Sequence, residues 1–140
     1  MIVAPTIRHT GSQWLKRELV CQGYEQLTLR SDPAEGAFMT DHLYDTHMEH
    51  FKKWVQAGAR VVIPLRHPRL VAESWSKDDP KLMQYWDQMW DNMLMFHSFD
   101  PEYIVVDSGD KVNANPVPVN YDQVPEWERF MDWPMIKERF

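Results

Sequence analysis

The chain has almost no cysteine, since Cys21 is the single one among 140 residues. An intrachain disulfide and a CxxC zinc motif are therefore excluded, which fits a reducing compartment, and we expect a cytoplasmic protein. No apolar run is long enough to span a bilayer. Residues 1–20 also lack a basic start followed by a long apolar stretch. We therefore expect neither a membrane partner nor a signal peptide.

An excess of positive charge is also lacking. Lys and Arg number 15 against 21 Asp and Glu, which gives a formal net charge of -6. Sequence-independent binding of nucleic acid needs a basic face, so that function class is disfavoured, whereas a small anion could still bind at a local basic cluster. The length and the 44% hydrophobic content predict one packed domain over residues 1–140. Seven Trp and nine Met suit an irregular core or the contact surface of a homo-oligomer.

Strand-like and helix-like patterns alternate along the chain. Short apolar runs predict strands at MIVAP, EQLTL, RVVIPL and EYIVVD. Helical periodicity predicts helices over 12–22, 40–57, a short stretch ending at Ser74, 80–96 and 132–140. Thr40 or Asp41 is the expected cap of the second helix, and Pro64 predicts an end to the pairing of the third strand. The alternation predicts an α/β fold of three layers, with a small, mostly parallel sheet flanked by helices.

The stretch TIRHTGSQW joins the first predicted strand to the first predicted helix, at the edge of the sheet where such folds bind ligands. Gly11 lets the backbone approach a phosphate closely, and the start of a helix favours negative charge. Thr10 and Ser12 add hydroxyl donors, while Arg8 and a protonated His9 would add positive charge. The full Walker pattern GxxxxGK[ST] is absent, which disfavours magnesium-dependent ATP hydrolysis. The alternative is a plain turn, with Thr10 or Ser12 as the helix cap.

A second segment, VVIPLRHPRLVAESW, places Arg66 at the end of a strand and Ser74 eight residues later on the following helix. Together, RHTGSQWL and RHPRLVAESW resemble the sulfotransferase family of P-loop proteins. In that family a PKSGTTW-type loop binds the 5′-phosphosulfate end of 3′-phosphoadenosine 5′-phosphosulfate, and an RNPRDVAxS segment binds its 3′-phosphate. The resemblance implies a P-loop-type fold and this cosubstrate, with Arg66 and Ser74 on the 3′-phosphate. The residues that would contact the 5′ end are Thr10, Gly11, Ser12 and Gln13.

The resemblance also implies catalytic positions. In the family, a lysine or arginine before the Ser-Gly pair stabilises charge on the bridging oxygen; here His9 stands in that place, with Arg8 beside it. The family's general base is a histidine in a KTH-like segment, and His42 in TDHLYDTHMEH is the nearest match. If it is active, such a protein transfers a sulfuryl group to a hydroxyl or amine of an acceptor that the sequence does not identify. The chain is shorter than typical members, as in a compact genome such as a phage's.

Two other functions stay open. The fold could serve as a non-catalytic binding or assembly module that presents its Trp and Met side chains to a partner. It could instead be a nucleotide kinase-like phosphoryl transferase, although a Walker lysine and a magnesium-holding pair are not apparent.

Individual residues also have alternatives. Arg66 could form a surface salt bridge, Ser74 could be a solvated helix position, and His42 could lie on a helix surface. On the second predicted helix, His42, Asp45 and Glu49 would share one face. Zinc accepts such ligands, but no further ligand cluster accompanies them, so we predict no metal.

Overall fold

The computed structural model describes residues 1–66 and 68–105. The expected connection at 108–128 and the expected helix at 132–140 lie outside the described residues. The strands are β1 (Ile2–Thr6), β2 (Glu25–Leu27), β3 (Ala37–His42), β4 (Arg60–Leu65) and β5 (Glu102–Val105). The α-helices are α1 (Ser12–Cys21), α2 (Met48–Gln56), α3 (Pro68–Asp78) and α4 (Trp86–Phe96). Short 3-10 helices cover Asp45–His47, Pro80–Tyr85 and His97–Phe99.

The sheet has five strands in the order β2-β3-β1-β4-β5, and all neighbouring strands run parallel. β1 pairs with β3 along its whole length, which sets Thr6 opposite His42. The ladder between β1 and β4 is short and stops at the pair Val3–Val61. β4 still pairs with β5 as far as Leu65, so Pro64 does not end the pairing of the strand as we expected. Proline is tolerated there because it removes only one donor, beyond the point where the ladder to β1 has already stopped.

The helix expected over 40–57 is wrong in its first half. β3 occupies Ala37–His42, and α2 begins only at Met48. Thr40 therefore caps no helix, and its hydroxyl donates to the backbone carbonyl of Ala4 at 2.7 Å. The physical reason is pairing: β3 pairs with β1 as far as His42, and its first residues, Ala37 to Met39, also pair with β2, which outweighs the helix signal of its polar residues.

Buried side chains on alternate strand positions pack against helices on both faces of the sheet. On one face, Leu15 and Leu19 of α1 contact a cluster with Ile2, Ala4 and Phe38. The opposite face carries a larger cluster, to which α2, α3 and α4 contribute Phe51, Trp54, Val71, Trp75, Trp86, Met89, Trp90, Met93 and Phe96. The expected three-layer arrangement is confirmed, and most of the Trp and Met side chains of α4 belong to the core. No helix in the described ranges combines the length and apolarity that crossing a membrane requires.

The buried side chain of Asn92 connects α4 to the segment that follows β3. Its amide Nδ2 donates to the carbonyl of Leu43 at 2.9 Å and to Oδ1 of Asp45 at 2.8 Å. We expect Asn92→Leu to lower the free energy of unfolding by about 1–3 kcal/mol, because the buried carbonyl of Leu43 and the carboxylate of Asp45 lose their donor. Chemical denaturation checks this value. Met95→Gln, on an exposed position of the same helix, should change stability by less than about 0.5 kcal/mol, and equal effects of the two variants would contradict the assignment.

Candidate functional site

Residues 7–11 form a tight loop between β1 and α1, at the carboxyl edge of the sheet. Two of its residues have positive φ angles, His9 at 66° and Gly11 at 96°. Glycine adopts this conformation readily, whereas a non-glycine residue does so at a cost and only where its surroundings hold it. Backbone segments that alternate in this way turn successive N–H groups to one side and form concavities that bind anions.

The first turn of α1 has no side-chain cap. Gly11 occupies the cap position, and the first helical bond runs from the amide of Leu15 to the carbonyl of Gly11 at 3.0 Å. The amides of residues 12–14 therefore have no partner within the helix, and the helix dipole favours an anion in front of them. Thr10 is not the cap either: it is buried, and its hydroxyl donates to the carbonyl of Ile7 at 2.5 Å.

The two segments singled out in the sequence meet in space at His9. Nη1 of Arg66, directly after β4, donates to the carbonyl of His9 at 3.0 Å. Oγ of Ser74, on α3, lies 2.7 Å from Nδ1 of the same histidine. The sequence separations are 57 and 65 residues. Ser74 thus faces the loop and is not a solvated helix position, and Arg66 lies at the loop and not on a remote surface.

Trp75 is a third side chain that holds the loop, and sequence reasoning missed it. Its indole Nε1 donates to the carbonyl of Arg8 at 2.8 Å, and its ring is fully buried in the larger core cluster. The available signal was its position directly after Ser74 at the end of the AESW segment. Because the ring is fixed by the core, the bond connects the loop rigidly to the body of the protein.

Positive charge at the site comes from arginine. Burial, followed by the nearby guanidinium of Arg8, lowers the pKa of His9 below its ordinary value. His9 is therefore neutral at neutral pH, and the cationic role expected for it passes to Arg8 and Arg66. Arg8 also lies 3.9 Å from a carboxylate oxygen of Asp79, and because both groups are partly exposed this pair contributes little to stability.

His42 lies at the carboxyl end of β3, beside the end of β1, and not on a helix. Its ring Nδ1 is 2.9 Å from the hydroxyl oxygen of Thr6. Its backbone is held on both sides, because its amide donates to Oδ1 of Asp41 at 2.7 Å and its carbonyl accepts from Nδ1 of His47 at 2.8 Å. The histidine that we expected on a helix thus lies at the edge of the sheet, where its ring contacts Thr6.

The surroundings of His42 keep its ring neutral. Burial has the largest effect and Arg8 the next, and together they lower its pKa to about 4. Lys16 of α1 acts in the same direction, while Asp41 opposes it. Arg8 therefore lies close to both His9 and His42, so the loop and the end of β3 belong to one site.

A polar groove of about 380 Å³ opens next to these residues, between α1 and the carboxyl ends of β2 and β3. Leucine side chains form part of its wall, and the polar side chains that line it are Lys16, Gln26, Thr28, Thr40 and Asp41. Because Lys16 and Asp41 also act on the pKa of His42, the groove adjoins the histidine. It offers a cation and hydrogen-bonding groups to a polar molecule.

Comparison with protein-family models, with curated proteins and with solved structures found no match to this chain.

The two remaining residues of the predicted 5′-phosphate site lie at the start of α1. Ser12 and Gln13 are the first two residues of α1, and Gln13 is exposed.

The shared helix face expected for His42, Asp45 and Glu49 does not exist, because His42 belongs to a strand. Over residues 1–66 and 68–105, no group of three or more His, Cys, Asp or Glu side chains could hold a metal ion.

The lowered pKa of His42 predicts an acid-dependent loss of stability. Its pKa is about 4 in the folded chain against an ordinary 6.5, so the unfolded chain binds the proton more readily. The stabilisation is complete above pH 6.5 and is lost as the pH falls towards 4, by about 3 kcal/mol in total. His9 acts in the same direction.

We expect His42→Asn to flatten this dependence, because an asparagine amide can donate to Thr6 but does not titrate. Urea unfolding of the parent and the variant at several pH values between 7 and 4 measures the difference. Two curves that fall in parallel would show that His42 is not the responsible group.

Proposed function

We propose that this protein binds 3′-phosphoadenosine 5′-phosphosulfate, or the bisphosphate left after transfer, as a compact sulfotransferase-like P-loop protein. The observation that carries the proposal is the contact of Arg66 and Ser74 with His9, at the amino end of α1. These are the segments that the resemblance assigns to the two ends of a single nucleotide. If both segments bind the same nucleotide, they have to lie close together in the folded chain.

The topology of the sheet supports a ligand at this place. The helix that follows β1 packs on one face, whereas the helices that follow its neighbours β3 and β4 pack on the other. Chain connections that leave adjacent strands towards opposite faces open a crevice at the carboxyl ends of the strands, and open α/β sheets bind their ligands there. The loop at residues 7–11 lies at this point.

The chemistry of the loop suits the 5′ end of the nucleotide. The uncapped amides of residues 12–14 and the positive φ of Gly11 allow an anion to approach the backbone closely. Arg8 adds a positive charge. On the other side, the guanidinium of Arg66 and the hydroxyl of Ser74 are suitable donors for the 3′-phosphate. A net negative chain can therefore still hold a multiply charged anion at this local cluster.

A transfer step can be written with these residues. The acceptor oxygen attacks the sulfur, its proton passes to Nε2 of His42, and the bond between sulfur and the bridging phosphate oxygen breaks. The bisphosphate leaves with the electron pair of that bond, and Arg8 with the loop amides stabilises its charge. His42 is neutral at pH 7 and can therefore accept the proton, although its low pKa makes it a weak base.

The polar groove beside His42 is a suitable place for the acceptor. Lys16, Gln26 and Thr28 would hold a polar molecule whose hydroxyl or amine reaches the histidine. A hydroxyl-bearing acceptor that both donates and accepts hydrogen bonds fits this lining, because Lys16 supplies a partly buried cation there and Asp41 a carboxylate.

A titration with two ligands tests the phosphate assignment. Adenosine 3′,5′-bisphosphate and adenosine 5′-monophosphate differ in the 3′-phosphate alone, so their affinity ratio reports on the group that we assign to Arg66. In Arg66→Ala we expect the Kd of the bisphosphate to rise roughly tenfold to a hundredfold, since a charge-assisted contact is lost. The Kd of the monophosphate should change little. Isothermal titration calorimetry measures both.

Arg60→Ala is the matched control, because it removes the same side chain from the other end of β4, roughly 20 Å away. Arg60 is exposed and pairs with Glu102 at 2.6 Å, so both affinities should be unchanged. An equal loss for both ligands in Arg66→Ala would show that Arg66 only supports the loop. If the parent binds neither ligand, the assembly module is favoured, and a preference for ATP with magnesium would favour the kinase.

The assignment of His42 as the base predicts a specific kinetic pattern. With the sulfuryl donor and a simple phenol as acceptor, His42→Asn should lower kcat by roughly 10²–10⁴ and leave the KM of the donor nearly unchanged. Since the pKa of His42 is about 4, the parent's rate should be flat between pH 6 and 8. A rate that rises through an apparent pKa near 6.5 would assign the base to a different group.

A further inference from the structure

The hydroxyl of Thr6 has two polar neighbours at the end of β1. Its Oγ1 lies 3.1 Å from the backbone carbonyl oxygen of Asp41 and 2.9 Å from Nδ1 of His42. Thr6 is completely buried, so water does not take the place of either partner. The parallel register sets Thr6 directly opposite His42, which explains why its hydroxyl reaches both groups.

Counting protons assigns the direction of both hydrogen bonds. A carbonyl oxygen only accepts, and a hydroxyl has a single proton to donate. The proton of Thr6 therefore goes to Asp41, and Nδ1 of His42 must carry the proton that it shares with Thr6. The opposite arrangement would leave the Thr6 and Asp41 oxygens 3.1 Å apart with no proton between them, which is an unfavourable contact.

We propose that Thr6 is a positioning residue that fixes His42 as the Nδ1–H tautomer, which leaves the lone pair on Nε2. This inference deepens the proposed function, because Nε2 is the atom that would receive the acceptor's proton. The tautomer itself rests only on the hydrogen bonds and does not depend on the identity of the ligand.

The groups around His42 support a neutral ring with one defined proton. Arg8 and Lys16 are cations that disfavour a second proton on the ring of His42, and His47 has the same effect more weakly. Asp41 acts in the opposite direction and favours that proton. Asp41 and His47 also bond the backbone amide and carbonyl of His42, which fixes the backbone from which the ring extends, and the ring's own contact with Thr6 sets its orientation. The ring is thus restricted in charge, in orientation and in tautomer.

Nitrogen-15 NMR of the histidine rings at pH 7 tests the inference. His42→Asn identifies the His42 signals by their loss. In the parent we expect a protonated Nδ1 and an unprotonated Nε2. Thr6→Val keeps the shape of the side chain but removes the oxygen, so the ring should shift towards the Nε2–H tautomer that free imidazole prefers. Thr6→Ser retains the hydroxyl and should keep the parent pattern.

The outcomes separate the inference from the proposed function. A parent with Nε2–H, or a Thr6→Val variant that keeps the Nδ1–H pattern, would overturn the role of Thr6. If adenosine 3′,5′-bisphosphate does not bind, the proposed ligand is wrong, but the tautomer that NMR assigns to His42 is unaffected. If transfer is observed, Thr6→Val should lower kcat roughly tenfold or more and leave the KM of the donor unchanged, whereas a merely structural role would not move the tautomer signals.

Discussion

The contact between Arg66 and the backbone of His9 is the interaction on which the rest of the site depends. His9 has a backbone conformation that a non-glycine residue adopts at a cost. The cost is met by partners from elsewhere in the chain: the guanidinium of Arg66, the hydroxyl of Ser74 on the ring and the indole of Trp75 on the preceding carbonyl. Because Trp75 belongs to the core, the shape of the loop is fixed by the packing of α3.

The electrostatics of the site follow from the same arrangement. Burial and Arg8 lower the pKa of both His9 and His42, so the two histidines serve as neutral hydrogen-bonding groups and the arginines carry the charge. Under the proposed function, an anion site and a proton acceptor can lie close together, because the cations would attract the ligand without protonating the base.

Much of the fold was predictable because its signals are local. Short apolar runs marked β1 and β4, and the spacing of Leu15 and Leu19 marked α1. The error at β3 has a definite cause: its last residues are polar, yet they pair with β1, while the apolar start of the strand also pairs with β2. Pairing between distant segments leaves little trace in a local pattern, so the histidine that we expected on a helix lies at the end of a strand.

The sequence alone determined the alternation of strands and helices, the absence of an intrachain disulfide and the two segments that resemble phosphate-binding motifs, since each depends on residue types at short spacing. Only the tertiary structure decided that Arg66 and Ser74 meet at His9, that Thr6 lies beside His42, and that Trp75 holds the loop. These contacts join residues far apart in the chain, and the order and register of the parallel strands bring them together. A local sequence pattern does not indicate the order of the strands, because that order depends on which face of the sheet each helix covers.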